Sequence, residues 1–187
     1  MRNPFELLGN LAWPTLIVAG IAMALLFTQL SKYKAKLRTT AAPQGIVSFA
    51  LCRSAQRSQA IIDSWKANEA NNMTDMIPYA RQSLRLDFFF IVAYVVALGL
   101  FYGWLSSLAL GIDYQTLSCL FCVLAWLQIV AGVLDVTENV CLLKILSQGT
   151  VTSSVLPRTA YLCATLKFVL TGIGVGIPLY TAFTEGF

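Results

Sequence analysis

The chain has 187 residues, 57% of them hydrophobic and 12% charged, with no histidine and a formal net charge of +4. A soluble domain carries about 25% charged residues, so this sequence has too little polar surface to cover a soluble globule, and its length suits one domain. The lack of histidine removes the commonest general base, the commonest metal ligand and any bis-His haem, and the basic residues flank apolar runs without the aromatic interleaving that a nucleic-acid platform needs, which excludes that class of partner.

The first apolar run, Leu11–Leu30, predicts a helix over about residues 11–30. It has the roughly 20 residues required to cross about 30 Å of hydrocarbon. Its apolar stretch is long, it has no Ala-x-Ala-like cleavage site, and its basic cluster follows it, so it reads as a retained helix and not as a signal peptide. Pro14 falls in the first turn, where a missing N–H costs nothing.

The segment over residues 31–85 is too long for a simple turn. Ala42-Pro43-Gln44-Gly45 is a breaker, and Ile46 to Leu51 is a short apolar stretch, extended or lying at the interface. Ser54 to Ala67 reads as an amphipathic helix with Ile61, Ile62 and Trp65 on one side. Such a helix lies on an anionic membrane surface or docks beneath a bundle, and the sequence leaves both placements open. Asn68 to Asp75 is a polar linker.

Three further apolar runs follow. Phe88–Leu108 predicts a helix over about 86–109. Leu117–Leu134 continues in helical pattern towards Leu146 and predicts one over about 117–146. Ala160–Phe183 predicts the last, over about 159–183. The fold expected is therefore all-α, a single polytopic transmembrane domain over 1–187: a four-helix bundle with a cytoplasmic amphipathic segment between its first two helices.

Orientation follows from the basic residues. Lys32, Lys34, Lys36, Arg38, Arg53, Arg57, Lys66, Arg81 and Arg85 lie between the first two helices, and Lys144 and Arg158 between the last two. The opposite side holds Arg2. Positive-inside bias places the long segment in the cytoplasm and both termini outside, in a membrane expected to be the bacterial inner membrane.

Four ionisable groups fall within the predicted helices: Asp87, Asp135, Glu138 and Lys167. Each is costly in lipid and is expected to face protein. Lys167 stands nine residues past Arg158, or about 13 Å along the helix. With this orientation all four lie in the cytoplasmic half of the bilayer. Gln128, Asp135, Glu138, Asn139 and Leu142 share one stripe of their helix, with Gly132 on the same stripe to admit a neighbour, and Asp87 and Tyr94 share a face of theirs. The simplest assembly brings Asp87, Tyr94, Gln128, Asp135, Glu138, Asn139 and Lys167 together as one intramembrane polar site. Such a cluster fixes helix register, or binds a proton or cation through a carboxylate of raised pKa, or acts in acid/base catalysis.

Gly99-x-x-x-Gly103 and Gly172-x-x-x-Gly176 permit close helix contact, within the chain, with a second copy or with another membrane subunit. Cys119-Leu120-Phe121-Cys122, at the outer end of the third predicted helix, resembles the CxxC of quinone-linked disulfide enzymes, which are also small four-helix bundles. Those enzymes relay electrons through a second cysteine pair, and Cys52, Cys141 and Cys163 are placed on the wrong side or inside helices. Trp13, Trp104 and Trp126 suit interfacial or bundle contacts.

Ala42-Pro43-Gln44-Gly45-Ile46-Val47-Ser48-Phe49, Ala60-Ile61-Ile62-Asp63-Ser64-Trp65, Leu86-Asp87-Phe88-Phe89-Phe90 with Tyr94, and Leu134-Asp135-Val136-Thr137-Glu138-Asn139 together resemble a family of small bacterial four-helix integral membrane proteins. The resemblance spans about half the chain and implies no activity. The expected function is a non-catalytic accessory, assembly or binding component of a membrane system. A proton- or cation-coupled carrier and a membrane enzyme, carboxylate-based or thiol/quinone-linked, are the alternatives. No cofactor or metal is assigned. Membrane lipid is an expected partner, and a bound lipid or quinone would fit the bundle.

Overall fold

The computed structural model describes residues 11–67, 75–111 and 114–185. Arg2 and most of the linker expected over Asn68 to Asp75 lie outside the described residues. The described residues are helical, in the order α1 Ala12–Lys36, α2 Ile46–Ala50, α3 Ala55–Ala67, α4 Ile77–Gly111, α5 Gln115–Gln148 and α6 Val155–Glu185. Four of these, α1, α4, α5 and α6, are long and apolar enough to cross a membrane.

The long helices overrun the apolar runs that predict them. At 1.5 Å per residue the 35 residues of α4 and the 34 of α5 each extend about 50 Å, well beyond about 30 Å of hydrocarbon. α4 starts nine residues before its expected beginning. The Asp75 carboxylate accepts a hydrogen bond from the Ile77 amide at 2.9 Å and opens the helix. Pro78 stands in the first turn, where its ring is tolerated. α5 ends at Gly149, whose φ of +71° is the left-handed conformation that terminates helices.

The described residues fall into two compact units. The first draws on the described residues among Met1–Met23, Ile91–Val133 and Leu166–Phe187. It is a bundle of four helical segments around Tyr102, Ala109, Phe121, Leu124 and Ala125. Two glycines let its helices approach. A Cβ on Gly132 would stand 2.6 Å from Cγ2 of Val95, so α4 and α5 meet there. A Cβ on Gly174 of α6 would meet the Tyr102 hydroxyl at 2.8 Å and the Gln128 amide nitrogen at 2.9 Å. Gly132 on its stripe was legible from the sequence. On α6, by contrast, Gly172 and Gly176 are exposed with nothing within 4 Å, and the glycine that faces the other helices is Gly174.

The second unit comprises the described residues of Ala24–Phe90 and Leu134–Thr165. Its core joins Leu37, Phe49, Ile61, Ile62, Trp65, Leu84, Leu142, Ile145 and Leu146 among others. The apolar face of α3 is used inside this core: Ser58, Ile61, Ile62 and Trp65, at i, i+3, i+4 and i+7, are each at most 1% exposed. The Trp65 indole donates to the Leu37 carbonyl at 2.9 Å and sits edge-on to Phe49. Ile46 to Ala50 is a short helix, α2, and not an extended stretch. The breaker before it forms a turn at Gly45, where φ is +61° and an added Cβ would stand 2.8 Å from the Lys34 carbonyl oxygen.

Side chains of α3 and α4, and Ser154 of the segment itself, tie the end of α5 and the connection to α6 into this unit. The Gln59 carbonyl oxygen accepts from the Val151 amide at 2.8 Å, and the Ser154 hydroxyl accepts from the Ala55 amide at 3.2 Å. The Lys66 ammonium donates to the Gly149 carbonyl at 3.0 Å, and the Arg81 guanidinium to the Leu146 carbonyl at 2.9 Å. Both cations satisfy carbonyls at the end of α5 that the helix leaves unpaired, and both sit favourably at the negative end of its dipole.

Candidate functional site

Four of the expected polar residues lie in the second unit. The Asn139 amide donates to the Asp87 carboxylate at 2.7 Å, joining α5 to α4. On α5, Asp135, one turn before Asn139, and Glu138, beside it, are 6% and 5% exposed, and Asn139 is 1% exposed. Three residues that the sequence groups with them lie in the first unit. Tyr94 and Gln128 are buried there, and the half-buried Lys167 holds its ammonium 5.3 Å from the centroid of the Phe168 ring.

The acidic group has a plain local cause. Asp135, Glu138 and Asn139 are spaced by three, one and four residues along one helix, so their side chains emerge on one side of α5. Asp87 stands at the matching level of α4, where the amide of Asn139 reaches it. A carboxylate held by an amide donor in an apolar setting keeps its negative charge at less cost than a bare one. Among the described residues no group of three or more Cys, Asp or Glu side chains is arranged to hold a metal ion.

Gln128 is fully buried, and neither atom of its amide has a hydrogen-bond partner. It faces Gly174 next to the Tyr102 hydroxyl. A buried amide left unpaired is costly and rare in native structures. Pro178, four residues beyond Gly174, has no N–H to offer the Gly174 carbonyl, so α6 is weakened where it meets these two side chains.

The cysteines divide. All five are free, with Cys119 exposed and the others buried. Cys122 contacts the Ser106 hydroxyl at 3.2 Å, and Ser106 also meets the Ser118 hydroxyl at 2.8 Å. This buried Ser106–Ser118–Cys122 group joins α4 to α5. The sequence reading missed it, along with Tyr102. The available signal was the spacing of Tyr94, Tyr102 and Ser106 on α4, eight and then four residues, which aligns polar atoms on one face. Between α2 and α3, burial pushes the Cys52 thiol up from its ordinary pKa, opposed by the nearby Arg57 cation and by the Ser58 hydroxyl.

An open depression of about 700 Å³ lies along α3 in the second unit. Ser54, Gln56, Gln59 and Asp63 line one side, and Val151, Thr152 and Ser154 the other. Its lining is mixed, with Ala55 and Ala60 among the polar side chains, and the Gln59–Val151 hydrogen bond holds the two sides together.

No family model matches the chain, and no curated protein or solved structure matches it either. The functional reading therefore rests on the residues themselves.

Proposed function

We propose that this protein is a non-catalytic binding or assembly component of a membrane system, working through the packed layer around α3. The observation that carries this reading is the full burial of Ile61, Ile62 and Trp65, which packs α3 into the core of the second unit instead of leaving it a loose connection. A depression of mixed polar and apolar lining opens along α3. Two pairs of polar side chains bridge neighbouring helices, Asn139 with Asp87 and Ser106 with Ser118, which suits a role in fixing register.

Two features of the spans agree with assembly. In the most apolar stretch of α1 only 6% of residues are buried, against 44% in α4 and in α5. Gly172 and Gly176 leave the exposed side of α6 smooth, and small residues at this spacing let a second membrane helix approach closely. In this reading the α3 layer lies on the cytoplasmic side of a bacterial inner membrane with both termini outside, and the lysines and arginines gathered between the first two and the last two spans support that sidedness.

Native mass spectrometry after extraction in mild detergent tests the proposal. Co-purifying subunits, or a homo-oligomer, are expected. Migration as a bare monomer under every mild condition rules the assembly role out.

A second reading is a proton- or cation-coupled carrier acting through Asp87, Asp135 and Glu138. The near-complete burial of Asp135 and Glu138 on a helix able to span a membrane favours it. In that case Asp135→Asn, reconstituted in vesicles, stays folded and loses coupled uptake. An unchanged uptake rate removes the carrier reading.

A further inference from the structure

The basic side chains of the second unit include one that is held in a fixed pose. Arg53, in the connection between α2 and α3, lays its guanidinium on the Tyr161 ring, 4.1 Å from the centroid, and donates a hydrogen bond to the Tyr161 hydroxyl. Arginine has five N–H donors in a planar fork, and stacking on an aromatic ring leaves the edge of that fork open. One donor goes to the tyrosine. Arg53 itself is exposed.

The surroundings are those of a membrane edge. Tyr161 lies six residues into α6, or about 9 Å from its start, where the amphipathic tyrosine ring suits the headgroup level. Arg158 precedes Tyr161 by three residues and is exposed, so the two share a side of α6. Leu162, four residues beyond Arg158 on that side, is 57% exposed. Arg57 adds a third exposed guanidinium in the first turn of α3. One guanidinium held on an aromatic ring and two exposed arginines therefore adjoin an exposed apolar stretch of α6.

We propose that Arg53 and Arg158, with Tyr161 between them, form a binding site for the phosphate of an anionic phospholipid whose acyl chain runs along α6 past Leu162. Guanidinium forks match phosphate oxygens in bidentate geometry, and the adjoining apolar surface favours a lipid over a free phosphate. Arg57 extends the positive field. The site rests on α6 spanning the membrane and is independent of the assembly role, so failure of one leaves the other standing.

The test uses the full chain in mild detergent, with phosphatidylglycerol and phosphatidylcholine of equal chain length as probes. Native mass spectrometry is expected to show preferential retention of phosphatidylglycerol by the wild type. The double variant Arg53→Gln, Arg158→Gln should lower that retention about thirtyfold, in line with the loss of two basic residues at an anionic surface, and leave phosphatidylcholine unchanged. Equal retention of the two lipids by the wild type, or full retention of phosphatidylglycerol by the variant, overturns the proposal. A photoactivatable phosphatidylglycerol applied to the wild type keeps the test open if the variant misfolds. It should label residues 53–57 and 155–162, and labelling confined to other segments overturns the site. Thermal protection by inorganic phosphate alone, with none from phosphatidylglycerol, would identify a soluble ligand and also reject the lipid.

Discussion

Asn139 shows how one side chain decides the state of another. Its amide is the donor to the Asp87 carboxylate, and both belong to helices long and apolar enough to span a membrane. Interhelical hydrogen bonds in membranes contribute about 0.6 kcal/mol on average. Removing a donor from a half-buried carboxylate costs more, about 1–3 kcal/mol. Asn139→Leu is therefore expected to lower stability by about 1–3 kcal/mol, and Asn139→Gln by less. Thermal or denaturant unfolding in detergent measures both. If Asn139→Leu unfolds at the wild-type midpoint, the bond contributes nothing to the fold. The stripe carrying Asn139, Asp135 and Glu138 was legible in the sequence, because spacing along a helix fixes which side chains share a side. The Asn139–Asp87 contact itself was expected only as part of a larger gathering. The places of Tyr94, Gln128 and Lys167 depend on packing between helices, which spacing along one helix does not encode.

At the scale of the element, the apolar runs announced all four helices able to span a membrane, since a helix satisfies its backbone groups within one segment and runs of about 20 apolar residues suit it. The first nine residues of α4 were missed for a physical reason. Arg81 and Arg85 interrupt the hydropathy there, and the start is set by the Asp75 cap instead. α2 escaped because five residues are too few to show a helical period. α3 was legible from Ile61, Ile62 and Trp65, and it now carries a sharp expectation. Trp65→Ala should destabilise the protein by about 3–5 kcal/mol, the usual result of emptying a fully buried aromatic site. Trp65→Phe keeps most of the packing, loses the bond to the Leu37 carbonyl, and should fall between the two. α6 offers a contrast between three glycines. Gly174→Ala forces a methyl group against the Tyr102 and Gln128 side chains and should cost about 1–3 kcal/mol. Gly172→Ala should leave the monomer's unfolding midpoint unchanged, as nothing lies within 4 Å of it. Equal effects at the two positions would mean that α6 presents a different side to its neighbours.

For the whole molecule, composition excluded a soluble fold, and the structure agrees with four helices able to span a membrane. Orientation is a separate question, and the distribution of thiols supplies a way to answer it. Cys119 is exposed while Cys52, Cys122, Cys141 and Cys163 are buried. Alkylating reagents attack accessible thiolates and leave buried thiols inert. The folded protein thus carries a native single-site reporter near the start of α5, with no cysteine to be engineered in and none to be removed. A membrane-impermeant maleimide added to intact cells should modify Cys119 once per chain if that end of α5 faces outward. Labelling only after the membrane is opened would invert the topology. The same stoichiometry doubles as an assay of folding, because each further maleimide bound marks a core that has come apart.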